Sequence, residues 1–215
     1  MNSMKPWIIV LAALSIAGVA CEKDNTDTYV KPEVKVVANF AADTVIGFSP
    51  TGRPIGTGKF TYFSLRENKV ITGADTLTNK WDIAIREFYI KINGGTSATG
   101  GGNGAAFIAN STFDAYTMIP AGTTGWMQDN APNYAINPAP GNWYTYSPST
   151  FIALPVPGKI FVIRTADGRF AKMEITSLYK GGITPDVALS PAQKALKQFF
   201  YQFRYSFQAN GSVNF

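Results

Sequence analysis

Fourteen carboxylates, a single cysteine and no histidine are what this 215-residue chain offers for acid–base, nucleophilic or metal chemistry. Without histidine there is no Ser-His-Asp or Cys-His arrangement, no imidazole-held zinc and no base that titrates near neutrality. The cysteine, Cys21, ends an apolar N-terminal run, where a structural or catalytic thiol has no folded site around it. A carboxylate pair of glycosidase type stays open by inventory. Asp82, Glu87 and Glu174, however, each sit in a strand-like run beside Lys or Arg, where a cross-strand ion pair is the plainer role. The chain reads as a non-enzyme.

A glycine-rich stretch is the other feature with chemical promise. Asn93-Gly94-Gly95 is followed by Gly100-Gly101-Gly102-Asn103-Gly104. A phosphate cradle needs the Gly-x-x-x-x-Gly-Lys-Ser/Thr spacing leading into a helix, and neither Lys nor a helical period follows Gly104. The stretch reads instead as a flexible strand-to-strand excursion that uses glycine's access to positive φ.

The elements around these residues are strands. Aromatics make up 13% of the chain, which favours sheet over helix. Trp81, Ile83 and Ile85 alternate with polar or small residues, and Phe88, Ile90 and Ile92 continue the period of two after Glu87. Further strands are expected at Val34–Ala38, Phe60–Leu65, Lys69–Thr72 and Ala105–Ile108. Lys159–Arg164 and Arg169–Ile175 form a hairpin through Asp167-Gly168. Ser190-Pro191-Ala192-Gln193 can start one short helix. Phe199 to Phe207 is a long strand with Phe199, Tyr201, Phe203, Tyr205 and Phe207 on one face. Asn110 to Pro157 is least regular, with seven of the thirteen prolines. Its aromatic, proline-punctuated loops are where a binding site is expected.

The N-terminus is read separately. Lys5, the apolar run from Trp7 to Ala20 and Gly18-Val19-Ala20-Cys21 form a secretory signal too short for a membrane span. They look like a lipobox, with Cys21 as the lipidated residue and the polar segment from Glu22 as a tether. The expected organisation is a signal peptide over 1–20, a tether over 21–33 and one antiparallel β domain over 34–215. The acidic residues after Cys21 resemble the surface-export signal of some Gram-negative lipoproteins, which implies an outer-membrane, cell-surface location. Removing the signal takes the formal charge from +5 to +4, too thinly spread for nucleic acid.

Four segments then occur in one order: Tyr62-Phe63-Ser64-Leu65, Trp81-Asp82-Ile83-Ala84, the loop from Asn93 to Ala105, and Val162-Ile163-Arg164-Thr165-Ala166-Asp167-Gly168-Arg169-Phe170-Ala171-Lys172. Together they resemble the HmuY family of haem-binding bacterial surface lipoproteins, over most of Phe60 to Tyr179. The resemblance implies an all-β fold, haem as the bound ligand and a TonB-dependent outer-membrane receptor as partner. The best-known member holds haem iron with two histidines, which this chain lacks; methionines serve in some relatives. By resemblance the first ligand region lies downstream of Pro120, where Met127 stands beside Trp126. The second follows Trp143-Tyr144-Thr145-Tyr146, where Pro148 replaces a ligand. Thioether and tyrosinate both ligate haem iron. The expected iron ligand is therefore Met127 or Tyr146, with Tyr144 as another candidate partner, although a Met beside a Trp also suits simple packing.

Trp126, Tyr134, Trp143, Tyr144 and Tyr146 would wall a site for haem or a similar flat apolar ligand. The propionates would meet Lys or Arg that the sequence does not locate. Two rival readings accompany this one. The first is a structural or adhesive surface lipoprotein of the same fold that has lost haem. The second is a carbohydrate-binding module that stacks sugars on the same aromatics.

Overall fold

Asp167 and Gly168 lie in the turn of a β-hairpin. Thr165 N–H donates to the Arg169 carbonyl at 2.8 Å, and Gly168 sits at φ 83°. The flanking strands, Lys159–Arg164 and Phe170–Tyr179, pair antiparallel from Arg164 against Phe170 outwards. This hairpin is the centre of the larger of two main sheets in the computed structural model, which describes residues 30–215. The expected signal peptide, Cys21 and most of the tether lie outside the described residues.

Numbered along the chain, the strands are β1 Val34–Ala41, β2 Gly47–Phe48, β3 Pro54–Ile55, β4 Thr61–Ser64, β5 Lys69–Ile71, β6 Ile83–Arg86, β7 Tyr89–Ile92, β8 Ala105–Asn110, β9 Tyr144–Ser147, β10 Ile152–Pro155, β11 Lys159–Arg164, β12 Phe170–Tyr179 and β13 Gln198–Gln208. The helix α1, Pro191–Ala195, carries the capping box expected of Ser190 and Gln193. One sheet has the order β1-β13-β12-β11-β8 and the other β5-β4-β6-β7. Every pairing in both is antiparallel. The fold is all-β.

The two sheets face each other across one apolar core. Phe40 of β1, Phe63 of β4 and Phe203 of β13 meet edge to face, with ring centroids 5.5 to 5.8 Å apart. Such contacts each add roughly 0.5–1.5 kcal/mol beyond area burial, so this triad pins one sheet on the other. Tyr201, Phe203 and Tyr205 form the inward row of β13, as its alternation requires. The larger sheet is covered on both faces. Phe161 and Ile163 enter the shared core, while Ile160 and Val162 enter a second cluster with Phe113, Ile119 and Phe215. That double burial explains the unbroken apolar run of β11.

Two expectations are corrected. The glycine stretch is packed against its own return and against neighbouring backbone. A Cβ on Gly94 would lie 1.9 Å from the Gly104 carbonyl oxygen, and Gly104 N–H donates to the Asn93 carbonyl at 2.8 Å. Close backbone approach requires glycine at Gly94 and Gly104, while Gly95, Gly100 and Gly101 take the positive φ expected of the stretch. The loop also carries the chain between sheets, because β8 joins β11 and not β7. The second correction falls within Asn110–Pro157, where β9 and β10 form an unforeseen hairpin with Tyr144 opposite Pro155.

Candidate functional site

Asp82 fixes the scaffold on which the site is built. Its two carboxylate oxygens accept from Leu65 N–H at 2.8 Å and from Ala166 N–H at 3.1 Å. One buried side chain thus joins β4, β6 and the β11–β12 turn, and it brings the Trp-Asp-Ile-Ala and Thr-Ala-Asp-Gly segments into contact. Burial pushes its pKa up to about 6, against the two N–H donors. The ion pair expected of Asp82 is replaced by this backbone clip. Glu174 does pair across the strands, with Arg204 at 2.7 Å. Glu87 instead turns the β6–β7 hairpin at φ 49°, and its carbonyl accepts from the Tyr201 hydroxyl.

Asp129 performs the same office for the loop that carries Met127. Its carboxylate is 2% exposed and accepts from Ile92 N–H at 3.1 Å and Ala135 N–H at 2.8 Å. Burial raises its pKa, opposed by hydrogen bonds from Ala135, Ser97 and Ile92 and by the charge of Lys91. Met127 exchanges both backbone hydrogen bonds with Ala106 of β8, at 2.8 and 3.0 Å. Gln128 Nε2 donates to the Gly104 carbonyl at 3.0 Å, and Ile136 bridges to Ile90 of β7. The segment from Met127 to Ile136 is therefore laced from β8 to β7 and cannot collapse onto the sheet.

Between this segment and β7 lies a cleft of about 510 Å³, within the usual range for small-molecule sites. Tyr89, Met127, Tyr134 and Pro138 are among its walls. Met127 is 56% exposed, so its thioether is open to a ligand. The Tyr89 and Tyr134 rings lie 5.6 Å apart, and Tyr134 continues to Phe60 at 6.4 Å. Two cations rest on this aromatic rim. The Arg86 guanidinium is 4.7 Å from the Phe60 centroid and 5.3 Å from that of Tyr89; Lys91 Nζ is 4.3 Å from Phe60. Neither makes an ion pair among the described residues.

The expected site residues do not all gather here. Met127 and Tyr134 share the cleft. Trp126 points to the opposite side of the same extended segment, against Phe107 at 4.8 Å and Phe170 at 5.9 Å, beneath the Arg164 guanidinium. Trp143 is 1% exposed and packs in the core on Phe161 and Tyr201. Tyr144 is buried and stacks on Phe88 at 4.2 Å; burial raises its pKa. Its hydroxyl donates to the Pro138 carbonyl at 2.7 Å, so it props the cleft wall from behind. Tyr146 is exposed on β9 and lines two other grooves, with Phe151 and Leu154. Met127 and Tyr146 therefore do not face a common space.

Of the residues that the sequence does not point to, Tyr89 lines the cleft, Arg86 and Lys91 sit on the aromatic rings beside it, and Asp129 holds its loop. The first three read as ordinary strand residues, and only the local loop contacts reveal Asp129.

The donors fit haem in kind. One exposed thioether and two phenols are groups that ligate haem iron, aromatic rings offer flat walls, and cations at the rim suit carboxylates. Among the described residues no group of three or more His, Cys, Asp or Glu is placed to hold a bare metal ion.

The chain matches the family described as HmuY protein over residues 57–187, more than half its length. Among solved structures it is similar to the apo HmuY analog of Tannerella forsythia. The two share 19% identity, with 82% of this chain and 95% of that one covered and a TM-score of 0.44. It is also similar to apo PinO, described as from Porphyromonas gingivitis. There the identity is 13%, 83% of this chain and 98% of that one are covered, and the TM-score is 0.43. No curated protein sequence matches it. With its segments from Tyr62 to Lys172 joined through Asp82 into one scaffold, the chain belongs to the HmuY family.

Proposed function

We propose that this protein binds haem in the cleft between β7 and the Met127–Ile136 segment and hands it to a TonB-dependent receptor of the outer membrane. It does so as a lipid-anchored protein of the cell surface and without catalysis. The observation that carries the reading is the convergence of Met127, Tyr89 and Tyr134 in one cleft, with Arg86 over the Tyr89 ring and Lys91 over the neighbouring Phe60, neither of them in an ion pair among the described residues. When bound, haem supplies an iron centre that takes thioether or phenolate. The chain's own residues do the rest: the tyrosine rings wall the macrocycle, Met127 offers sulfur, and Lys91 and Arg86 hold the propionates. Tyr134 replaces Tyr146 as the phenol for the site, because among the tyrosines expected from the sequence it is the one that shares a cleft with Met127, where Tyr89 stands beside it.

The propionate assignment has its own test. Protoporphyrin and its dimethyl ester share the ring and differ in charge. Lys91→Gln is expected to weaken protoporphyrin binding about tenfold, as loss of one charge-assisted hydrogen bond does, and to leave the ester unchanged. Equal weakening of both, or of neither, removes Lys91 from that role.

A carbohydrate reading has one observation in its favour. Tyr146 and Phe151 are exposed aromatics on a groove that also holds Arg53 and Gln198. Sugar binding there would leave the haem spectrum untouched and would be lost with Tyr146→Ala.

A further inference from the structure

At the end of the sandwich where the chain enters from its N-terminal side, the start of β1, the β4–β5 turn, the β11–β12 turn and the end of β13 meet around a groove of about 580 Å³. Lys31, Lys35, Arg66 and Arg169 converge on it from three separate stretches of chain. Two carboxylates oppose them. Glu33 lines the groove, and Asp167 binds Arg66 at 2.6 Å and lies 3.9 Å from Arg169. Four cations against two carboxylates leave a positive excess, and neither Lys31 nor Lys35 makes an ion pair among the described residues. On its other side Lys31 borders a second groove with Met118. Val30 and Met118 are both largely exposed. Basic side chains interleaved with exposed apolar ones are the composition of a surface that lies on lipid.

The tether says how close that surface comes. Lys31 is the tenth residue after Cys21. A stretch of that length spans at most about 36 Å. A lipidated Cys21 would hold this end of the domain within reach of the bilayer. We propose that the basic groove docks on an anionic lipid surface and takes a lipid phosphate, setting the domain upright on its tether. The proposal rests on Cys21 being the anchor for its setting in the cell, while the groove itself is independent of the haem cleft.

The test uses the chain from residue 22 onward, which contains all the cores described above, with vesicles of phosphatidylcholine alone or mixed with phosphatidylglycerol. Co-sedimentation is expected with the mixed vesicles only, and weaker as salt rises. Lys31→Gln with Lys35→Gln is expected to lower vesicle affinity about thirtyfold while the melting curve and haem response stay as in wild type. Should the double variant fail to fold, Arg169→Gln alone must show a selective loss of about fivefold. Equal binding to neutral vesicles, or undiminished binding by the folded variant, overturns the proposal. Competition by inorganic phosphate at matched ionic strength means a free-anion site and overturns docking on a surface. The anchor is read separately: Cys21→Ala in the full chain is expected to move the protein from the membrane to the soluble fraction. Retention in the membrane fraction refutes the anchor and, with it, the proposed setting of the groove.

Discussion

Asp82→Ala is expected to destabilise the protein by about 4 kcal/mol at pH 4, because it leaves two buried backbone N–H groups, of Leu65 and Ala166, without an acceptor. The deficit shrinks as pH rises, and the sign follows from the carboxyl itself. Burial raises its pKa from 3.8 to about 6 in the folded protein, so the folded state holds the proton more tightly than the unfolded state. The stabilisation from that proton is complete below 3.8 and is lost as pH climbs through about 6. A shift of this size removes about 3 kcal/mol from wild type, and nothing from a variant that lacks the group. Urea unfolding of both proteins from pH 4 to pH 7.5 checks this. A deficit that is constant, or that grows with pH, contradicts the account of Asp82 as a buried acceptor.

Gly94→Ala is expected to abolish folding. The added Cβ would sit 1.9 Å from the Gly104 carbonyl oxygen and 2.6 Å from its carbon, and both are backbone atoms held by the link between the sheets. No rotamer relieves such a clash, and the cost exceeds the roughly 4 kcal/mol that marks severe core defects. Gly101→Ala is the matched control. Its Cβ would meet nothing within 4 Å, and only its φ of +75° resists substitution. It should cost about 1–2 kcal/mol and leave a folded protein. Circular dichroism and yield of soluble protein separate the two; comparable behaviour would mean the loop is as yielding as its composition suggests.

That loop also shows what the sequence conveys and where it stops. Local patterns carried through: the Asp167-Gly168 hairpin, the capped helix at Ser190 and the alternation of β13 are each written within a dozen neighbouring residues. What failed to show was long-range. The Asp82 contact with Ala166 spans 84 residues, and nothing near Asp82 distinguishes it from a strand carboxylate awaiting a lysine. The β9–β10 hairpin hid among prolines because its strands are four residues each and Pro155 occupies a strand end. The site divides in the same way. Met127 and Tyr134 belong to an irregular loop and invite attention there, whereas Tyr89 and Lys91 lie in a regular strand whose neighbour across the cleft only the fold supplies. Trp143 and Tyr144 look like pocket walls for the same reason that they make good core: a large ring in a loop must bury itself somewhere.

The central claim is tested most directly by titrating haemin, ferric and then dithionite-reduced, into the purified protein and reading the Soret band. Wild type should shift the band and saturate at equimolar haem. If Met127 supplies the ligand, reduced haem binds more tightly than ferric, because thioether sulfur prefers the softer metal, and Met127→Ala removes that preference while the protein still melts as before. If the phenolate does, ferric haem is favoured and Tyr134→Phe removes its spectrum. An unshifted Soret band in wild type under both conditions, or a shift untouched by either variant and lost with Tyr146→Phe, would contradict the placement of haem in the Met127–Tyr134 cleft.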